Sequence, residues 1–162
     1  MQALLNRVDF YLPDEASTDA FGVWLAPALR AGDAVLLSGP IGAGKTHLAR
    51  ALLRRRLGAG TEVPSPTFTL VQPYDDNGIP ILHADLYRIQ HPDEVMELGL
   101  EEAMAQGIAL IEWPERLGPY RPADALDLTF APLGEGRHVV ATGGARLIGH
   151  VALFSSHRGQ HD

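Results

Sequence analysis

A glycine-rich loop between an apolar run and a helical pattern constrains the fold of this chain more than any other feature. The loop reads GPIGAGKT, in which Gly39, Gly44, Lys45 and Thr46 fit the pattern G-x-x-x-x-G-K-[ST]. The apolar run DAVLLSG before it is typical of a strand buried on both faces, and residues 45 to 57 have the pattern of a helix. Because the N–H groups of such a loop turn inward at a helix N-terminus, the segment predicts a phosphate-binding loop in an α/β fold.

The residue types in the loop predict a nucleoside triphosphate with magnesium as its ligand. Lys45 is the only lysine among thirteen basic residues, and it should reach the β and γ oxygens, while the Thr46 hydroxyl should bind Mg²⁺. No N-K-x-D or T-K-x-D sequence is present to recognise guanine, so ATP is the expected nucleotide. The residues that we assign to nucleotide binding here are Gly39, Pro40, Ile41, Gly42, Ala43, Gly44, Lys45, Thr46 and His47.

The rest of the chain alternates between strand and helix patterns. RVDFYL predicts a strand, and a helix capped near Ser17 and Thr18 should bend near Pro27. TFTLVQPY and IPILHADLYRI flank the hairpin turn signal Asn77-Gly78, and HPDEVMELGLEEAMAQG predicts a helix broken at Gly99. IALIEW predicts a buried strand, ALDLTF and RHVVAT a strand pair joined across APLGEG, and Arg146 to Ser156 a last helix.

This order of elements predicts the fold class. At 162 residues and 46% hydrophobic, the chain is long enough for one buried core and too short for two ordinary domains. We therefore expect a single P-loop NTPase-like α/β domain over residues 1–162, with a mixed, mainly parallel central sheet flanked by helices. Residues 157–162, HRGQHD, are expected to form a disordered tail.

Charge and composition restrict the partners. A net charge of -7 argues that the chain does not wrap nucleic acid by itself, so that any contact with RNA is local or shared with a partner. Arg50, Arg54, Arg55 and Arg56 either complement the dipole of the helix after the loop or dock a partner. Without cysteine the chain has no disulfide frame or thiolate metal site. Because no apolar run reaches eighteen residues, we expect a cytoplasmic protein without a membrane partner.

Two acidic residues follow apolar runs, where strands open into a ligand crevice. Asp85 follows ILHA and Glu112 follows IALI, so both are candidates for the metal shell and for catalysis, alongside Lys45. Thr67, in VPSPTFTL, either presents its hydroxyl to the γ-phosphate or begins a strand. Trp113 is either a core residue or a wall of the nucleotide site.

Two further residues near Asp85 have competing interpretations. His83 is better explained as a hydrogen-bonded histidine near the phosphates than as a metal ligand, since two ligands on one strand do not make a metal site. Arg88 either stabilises developing charge on the γ-phosphate or pairs with a carboxylate.

Four segments together resemble a known family. GPIGAGKTHLARALL, VPSPTFTLVQPY, ILHADLYRI and LIEWPERL occur in the order and at about the spacing of the TsaE (YjeE) family of small bacterial ATPases, from about Thr18 to Arg121. This resemblance implies a role in making threonylcarbamoyladenosine at adenosine 37 of tRNAs that read codons beginning with A. It also implies that the chain binds the complex of TsaB and TsaD, contacts tRNA only through that complex, and hydrolyses ATP to allow repeated turnover.

The resemblance places the site on matching positions of this sequence. The phosphate loop is Gly39 to Thr46, and the two acids are Asp85 and Glu112; His47 departs from the family's usual small residue, and the segment after Thr142 has no clear match. Two alternatives remain open at this point. A small-molecule kinase uses a similar loop, but no Arg-rich lid segment follows the loop here. A nucleotide-gated binding module would differ only in whether Asp85 and Glu112 contribute to turnover.

Overall fold

A computed structural model describes residues 6–66 and 70–159, with residues 158 and 159 described by their backbone only. Seven strands are present in this part of the chain: β1 (Arg7–Leu12), β2 (Ala34–Ser38), β3 (Val71–Asp76), β4 (Ile79–Asp85), β5 (Ile108–Glu112), β6 (Leu126–Leu133) and β7 (Gly136–Gly143). Five α-helices accompany them: α1 (Glu15–Leu25), α2 (Lys45–Leu57), α3 (Glu94–Glu97), α4 (Leu100–Gln106) and α5 (Ala145–Gly159). Short 3₁₀ helices cover Ala26–Ala28 and Pro114–Tyr120.

The strands form one mixed sheet in the order β1-β7-β6-β2-β5-β4-β3. Its centre is parallel, since β2 pairs in parallel with β5 and β6, and β4 pairs in parallel with β5. The outer strands β1, β7 and β3 join by antiparallel pairing. The first four residues of β2 are buried, as its apolar run predicts for the central strand of a covered sheet. The α/β fold with a mixed sheet that is parallel at its centre is confirmed.

Both predicted hairpins are present. Asn77 and Gly78 connect β3 and β4 with positive φ angles of 50° and 92°, which suit a tight turn matched to the twist of the strands. The pair β6 and β7 is also antiparallel, as predicted.

Helices cover both faces of the sheet over two apolar clusters. The larger cluster lies beneath α1, α2 and α5, where the rings of Phe10, Phe21 and Phe154 pack with centroids 5.0 to 6.0 Å apart. The smaller cluster lies beneath α3, α4 and the Pro114–Tyr120 turn, and includes Leu36, Ile111 and Leu117. The helix predicted around Gly99 is two short helices, because Gly99 itself adopts a left-handed conformation.

Two helix boundaries differ from the prediction. The cap of α1 is Asp14 instead of Ser17 or Thr18, because Asp14 accepts the Ser17 N–H at 2.8 Å while the Ser17 hydroxyl accepts the Asp14 N–H at 3.1 Å. Ser17 is therefore in the first turn of the helix. The last helix extends to Gly159, past the predicted end at Ser156, so residues 157–159 of the predicted tail belong to the helix. Residues 160–162 lie outside the described part of the chain.

The arginines of α2 have partners within the chain. Arg50 and Arg54 donate through Nε to the carbonyls of Val63 and Thr61, at 2.9 and 3.3 Å. Arg56 pairs with a carboxylate of β3 and donates to the carbonyls of Ala26 and Leu29, in and directly after the 3₁₀ helix that follows α1. These contacts favour a structural role for the arginine cluster, because three of its four members hydrogen-bond neighbouring segments to α2.

Candidate nucleotide-binding site

A cavity of about 400 Å³ opens at the carboxyl ends of the central parallel strands. This is the edge of an open α/β sheet at which ligands usually bind. It is surrounded by residues from the loop after β2, from the start of α2, from the ends of β4 and β5, and from α1 and β7. The lining residues are Glu15, Ile41, Gly42, Gly44, Lys45, Thr46, His47, Asp85, Tyr87, Arg88, Glu112, Trp113 and Arg137.

The glycine-rich loop packs tightly against the neighbouring strand. Gly39 has φ of 135°, and a Cβ added to it would lie 2.4 Å from the backbone oxygen of Phe130 in β6. Gly42 has φ of 83° but no heavy atom within 4 Å of the corresponding position. Both positions require a conformation that favours glycine, but only Gly39 is also confined by the backbone of another strand.

We expect Gly39→Ala to destabilise the protein by more than roughly 2 kcal/mol, because it combines left-handed strain with a backbone clash. Gly42→Ala is the matched control, and it should lower the free energy of unfolding by only about 1 to 2 kcal/mol, because left-handed strain acts there without a clash. Chemical denaturation of both variants measures the difference. Equal free energies of unfolding for the two variants would contradict the proposed role of the contact with Phe130.

Lys45 begins α2 and is 4% exposed. Its Nζ donates to the carbonyl oxygen of Gly39 at 2.6 Å and lies 3.9 Å from the ring centroid of Trp113. Burial lowers the pKa of the ammonium, while the negative charges of Glu112, Asp85 and Glu115 act in the opposite direction. Because a phosphate chain adds negative charge beside Nζ, it would favour the charged form of this lysine further.

Glu112 is held by two hydrogen bonds, one to each of its oxygens. The Thr46 hydroxyl donates to Oε1 at 2.7 Å, and His83 Nε2 donates to Oε2 at 2.7 Å. Glu112 is 2% exposed and His83 is fully buried, so this arrangement lies in the interior of the site. The prediction of a hydrogen-bonded histidine near the loop is confirmed, and its partner is the acid at the end of β5.

Asp85 lies beside Glu112 because their strands are in register. In the parallel pairing of β4 and β5, Asp85 is the partner of Glu112, so the two acids end adjacent strands as the apolar runs predict. Asp85 is 6% exposed, and its Oδ1 accepts the Tyr87 N–H at 2.9 Å. This bond orients the carboxylate at the chain reversal after β4.

Trp113 combines the two roles that the sequence left open. It follows β5 with φ of 59° and ψ of 52°, a left-handed conformation that is uncommon for a bulky residue. Its side chain lines the cavity over Lys45 and packs with the smaller apolar cluster, with its ring 4.9 Å from that of Tyr87. Trp113 is therefore both a wall of the cavity and a packing residue.

The cavity includes most of the residues that the sequence assigns to the site. Lys45, Thr46, His47, Asp85, Glu112 and Trp113 all line it, together with Ile41, Gly42 and Gly44. Gly39, Pro40 and Ala43 are not among the lining residues; Gly39 contributes the carbonyl that binds Lys45, and Ala43 is buried in the core. Thr67 lies outside the described residues.

Two lining residues, Glu15 and Arg137, are not identified by the sequence patterns. Arg137 is in a strand predicted only as half of a hairpin, and Glu15 precedes the predicted helix start. Neither belongs to a local motif, so the only signal in the sequence is their residue type. Their place in the cavity depends on β1 and β7 being neighbours in the sheet.

Within residues 6–66 and 70–159, no group of three or more His, Cys, Asp or Glu side chains is arranged to hold a metal ion. In the same part of the chain, none of the helices has the length and apolar character required to cross a bilayer. The oxygen groups beside the loop instead suit a cation that keeps several waters and binds through few protein ligands, as Mg²⁺ does at phosphate sites.

Comparison with known proteins agrees with this geometry. The family model described as "Threonylcarbamoyl adenosine biosynthesis protein TsaE" matches residues 12–139. The chain belongs to the TsaE family. The match to the TsaE model begins before Thr18 and continues past Arg121, the limits of the resemblance in the sequence motifs, and it includes Arg137.

Several curated TsaE proteins are similar over most of this chain. The tRNA threonylcarbamoyladenosine biosynthesis protein TsaE of Rickettsia felis is 37% identical over 128 residues, which are 79% of this chain and 75% of that protein. The TsaE of a Synechocystis species is 41% identical over 69% of this chain and 73% of its own length. The Bacillus subtilis TsaE is 35% identical, with 76% and 75% covered. Membership of the TsaE family makes this chain a P-loop nucleotide-binding protein.

A solved structure has the same fold. The crystal structure of Bacillus subtilis YdiB superposes with a TM-score of 0.74 at 24% identity, covering 97% of this chain and 99% of that one. At this identity the likeness concerns the fold alone, and it supports the mixed sheet described for the TsaE-family chain.

Proposed function

We propose that this protein is the ATP-binding and hydrolysing subunit required for threonylcarbamoyladenosine modification at position 37 of tRNAs that read codons beginning with A. It acts on a complex of TsaB and TsaD. The observation that carries this proposal is the convergence of Lys45, Thr46, Asp85 and Glu112 on one cavity, in a chain that matches the TsaE family model. This convergence supports a site in which the residues for nucleotide binding, metal binding and catalysis lie together.

Lys45 is positioned to bind the phosphate chain. An ammonium group has three N–H donors, and the carbonyl of Gly39 occupies one of them. The other two remain for the oxygens of the β- and γ-phosphates. Burial of Lys45 in a site of low dielectric strengthens this interaction relative to one in water.

Thr46 and Glu112 fit a hydrated Mg²⁺. When bound there, Mg²⁺ would neutralise charge on the β- and γ-phosphates. The Thr46 hydroxyl donates a hydrogen bond to Glu112, which leaves the lone pairs of the Thr46 oxygen available to bind the metal. Asp85 is in register with Glu112 on the neighbouring strand. Its carboxylate would bind the water molecules that coordinate the metal.

Glu112 is also placed to orient the attacking water. Its two oxygens are fixed by Thr46 and His83, so its orientation is set before a substrate arrives. A carboxylate retains lone pairs beyond these two bonds and can accept a hydrogen bond from water. His83 therefore positions Glu112, and Glu112 acts on the reaction.

Family membership and charge support the partner assignment. At a net charge of -7 the chain has little to hold RNA by itself, which agrees with a contact to tRNA through the TsaB and TsaD complex only. We place the protein in the cytoplasm, where tRNA is modified. Reconstitution of the modification with TsaB, TsaD and tRNA tests this directly: repeated formation of threonylcarbamoyladenosine should require this chain, and Lys45→Ala should not replace it.

The isolated chain is expected to hydrolyse ATP slowly, with stimulation by the TsaB and TsaD complex. One well-placed arginine that stabilises transition-state charge is worth roughly a thousandfold or more, and a partner can supply such a charge or order a loop. We also expect tighter association with the complex in ATP than in ADP; by linkage, if the complex binds the ATP-loaded form better, ATP strengthens binding of the complex by the same factor. Steady-state ATPase assays and pull-downs in each nucleotide measure these effects. Full-speed hydrolysis by the chain alone, together with equal association in both nucleotides, would contradict this prediction.

Two alternatives, a small-molecule kinase and a nucleotide-gated binding module, can also be tested. A small-molecule kinase would form a phosphorylated metabolite, which a screen of phosphate acceptors with labelled ATP would detect. A nucleotide-gated binding module would show nucleotide-dependent association without turnover. The pair of acids beside the loop favours hydrolysis, because a binding module does not need two buried carboxylates at the metal end of its site.

A further inference from the structure

The cavity contains a cation, Arg137, that belongs to none of the motifs assigned above. Arg137 is the second residue of β7, where its backbone is opposite Leu12 of β1 and Pro132 of β6. Its side chain extends to the phosphate-binding loop and lines the cavity. A Cβ added to Gly44 would lie 2.0 Å from Nη1 of Arg137, so the guanidinium lies directly against the backbone of Gly44.

The guanidinium of Arg137 lacks a protein counter-ion in the part of the chain that the structure describes. Its Nε is buried and has no hydrogen-bond partner there, and no carboxylate among residues 6–66 and 70–159 forms an ion pair with it. Arg137 is half-buried and remains charged, so the buried N–H at Nε is removed from water without a hydrogen-bond acceptor. An anionic ligand in the cavity would supply the missing partner.

The sheet order places Arg137 and the two acids on opposite sides of β2. Glu112 and Asp85 end β5 and β4, which lie on one side of β2, whereas β6 and β7 lie on the other. Lys45 and Thr46, at the start of α2, are between these groups. A nucleotide with its γ-phosphate at Glu112 would then extend its α-phosphate and nucleoside toward Arg137.

We propose that Arg137 binds the α-phosphate of the nucleotide and so holds the nucleoside end of ATP or ADP in the cavity. The proposal rests on the nucleotide site proposed above. A guanidinium presents several N–H donors in a planar fork that matches two phosphate oxygens, and these charge-assisted bonds are stronger than neutral ones. Gly44 has φ of 105°, which by itself favours glycine, and a side chain at this position would also displace the guanidinium from the loop.

Calorimetric titration with ADP in the presence of EDTA tests the assignment without metal and without turnover. Arg137→Gln keeps much of the side chain but removes its charge, and should weaken ADP binding at least about tenfold. Arg137→Lys should retain part of the affinity, because it keeps the charge and loses the fork. Arg55→Ala is the matched control, since Arg55 is exposed on α2 outside the cavity, and its affinity should equal that of the parent.

The contact with the α-phosphate has its own test. The two diastereomers of ADPαS each replace a different α oxygen by sulfur, so the parent should bind them with different affinities and Arg137→Gln should lose that difference. Thermal unfolding of each variant without nucleotide verifies that the fold is intact.

The outcomes distinguish this inference from the proposed function. If the parent binds ADP and folded Arg137→Gln binds it within about twofold, the role of Arg137 is wrong and the ATP site stands. An unchanged preference between the ADPαS diastereomers in Arg137→Gln would also overturn the α-phosphate contact. If the parent itself does not bind ADP, the nucleotide site and the proposed function fail together.

Discussion

Lys45→Ala is expected to slow ATP hydrolysis by at least about a hundredfold while the protein remains folded. The lysine is buried beside the loop, and two of its three donors remain for phosphate oxygens after the bond to Gly39. No second lysine exists in the chain to replace it. Phosphate release at saturating Mg-ATP, with and without the partner complex, measures the loss.

Two controls make this result interpretable. Arg55→Ala removes a cation of the same helix that is exposed and outside the cavity, and its rate without the partner complex should equal that of the parent. Circular dichroism and thermal unfolding should show that Lys45→Ala is folded, because the change leaves one carbonyl without its donor and creates no buried charge. Near-normal hydrolysis by a folded Lys45→Ala protein would refute the site.

Glu112→Gln and Asp85→Asn are expected to separate catalysis from metal-dependent binding. A glutamine at position 112 keeps an oxygen for the Thr46 hydroxyl and an amide group for His83, but it loses the negative charge that would act on the attacking water. Hydrolysis should fall by about a hundredfold or more, as for loss of a catalytic base, while nucleotide binding is spared. Asp85→Asn should instead weaken Mg-dependent nucleotide affinity by about tenfold, as for a group acting through the metal shell.

Titration of Mg-ATP against both variants, with single-turnover hydrolysis in parallel, decides between the two roles. ADP titration in EDTA is the matched measurement, in which the Asp85→Asn defect should disappear because no metal is present. The reverse pattern, with binding lost in Glu112→Gln and turnover lost in Asp85→Asn, would exchange the assignments.

Much of the fold was predictable because its signals are local. The apolar run of β2, the helical pattern of α2 and the Asn77-Gly78 turn each lie within a short segment, and each element is present at the expected place. The start of α1 was mispredicted because Ser17, a good capping residue, lies three positions after Asp14, which caps the helix. A capping box contains two cap formers, and only the backbone geometry shows which of them precedes the helix.

The candidate site residues that directly follow a strand could be predicted from the sequence, and those at other positions were harder to predict. Asp85 and Glu112 come directly after apolar runs, which was enough to bring them to one edge of a parallel sheet. The sequence left two roles open for Trp113, because a bulky residue after a strand can either pack in the core or line a site. Its position over Lys45 in the structure shows that it lines the cavity. Arg137 was missed because no pattern along the chain relates it to the loop, which is more than ninety residues away.

By itself, the sequence determined that this chain has a phosphate-binding loop between a buried strand and a helix, two acids after strands, and motifs of the TsaE family. Those features depend on residue type and short spacing, which local backbone chemistry converts directly into geometry. Only the tertiary structure decided that His83 and Thr46 hold Glu112 between them, and that Arg137 faces Gly44. These contacts depend on strand order and register, because pairings between distant segments are set by the packing of the whole sheet.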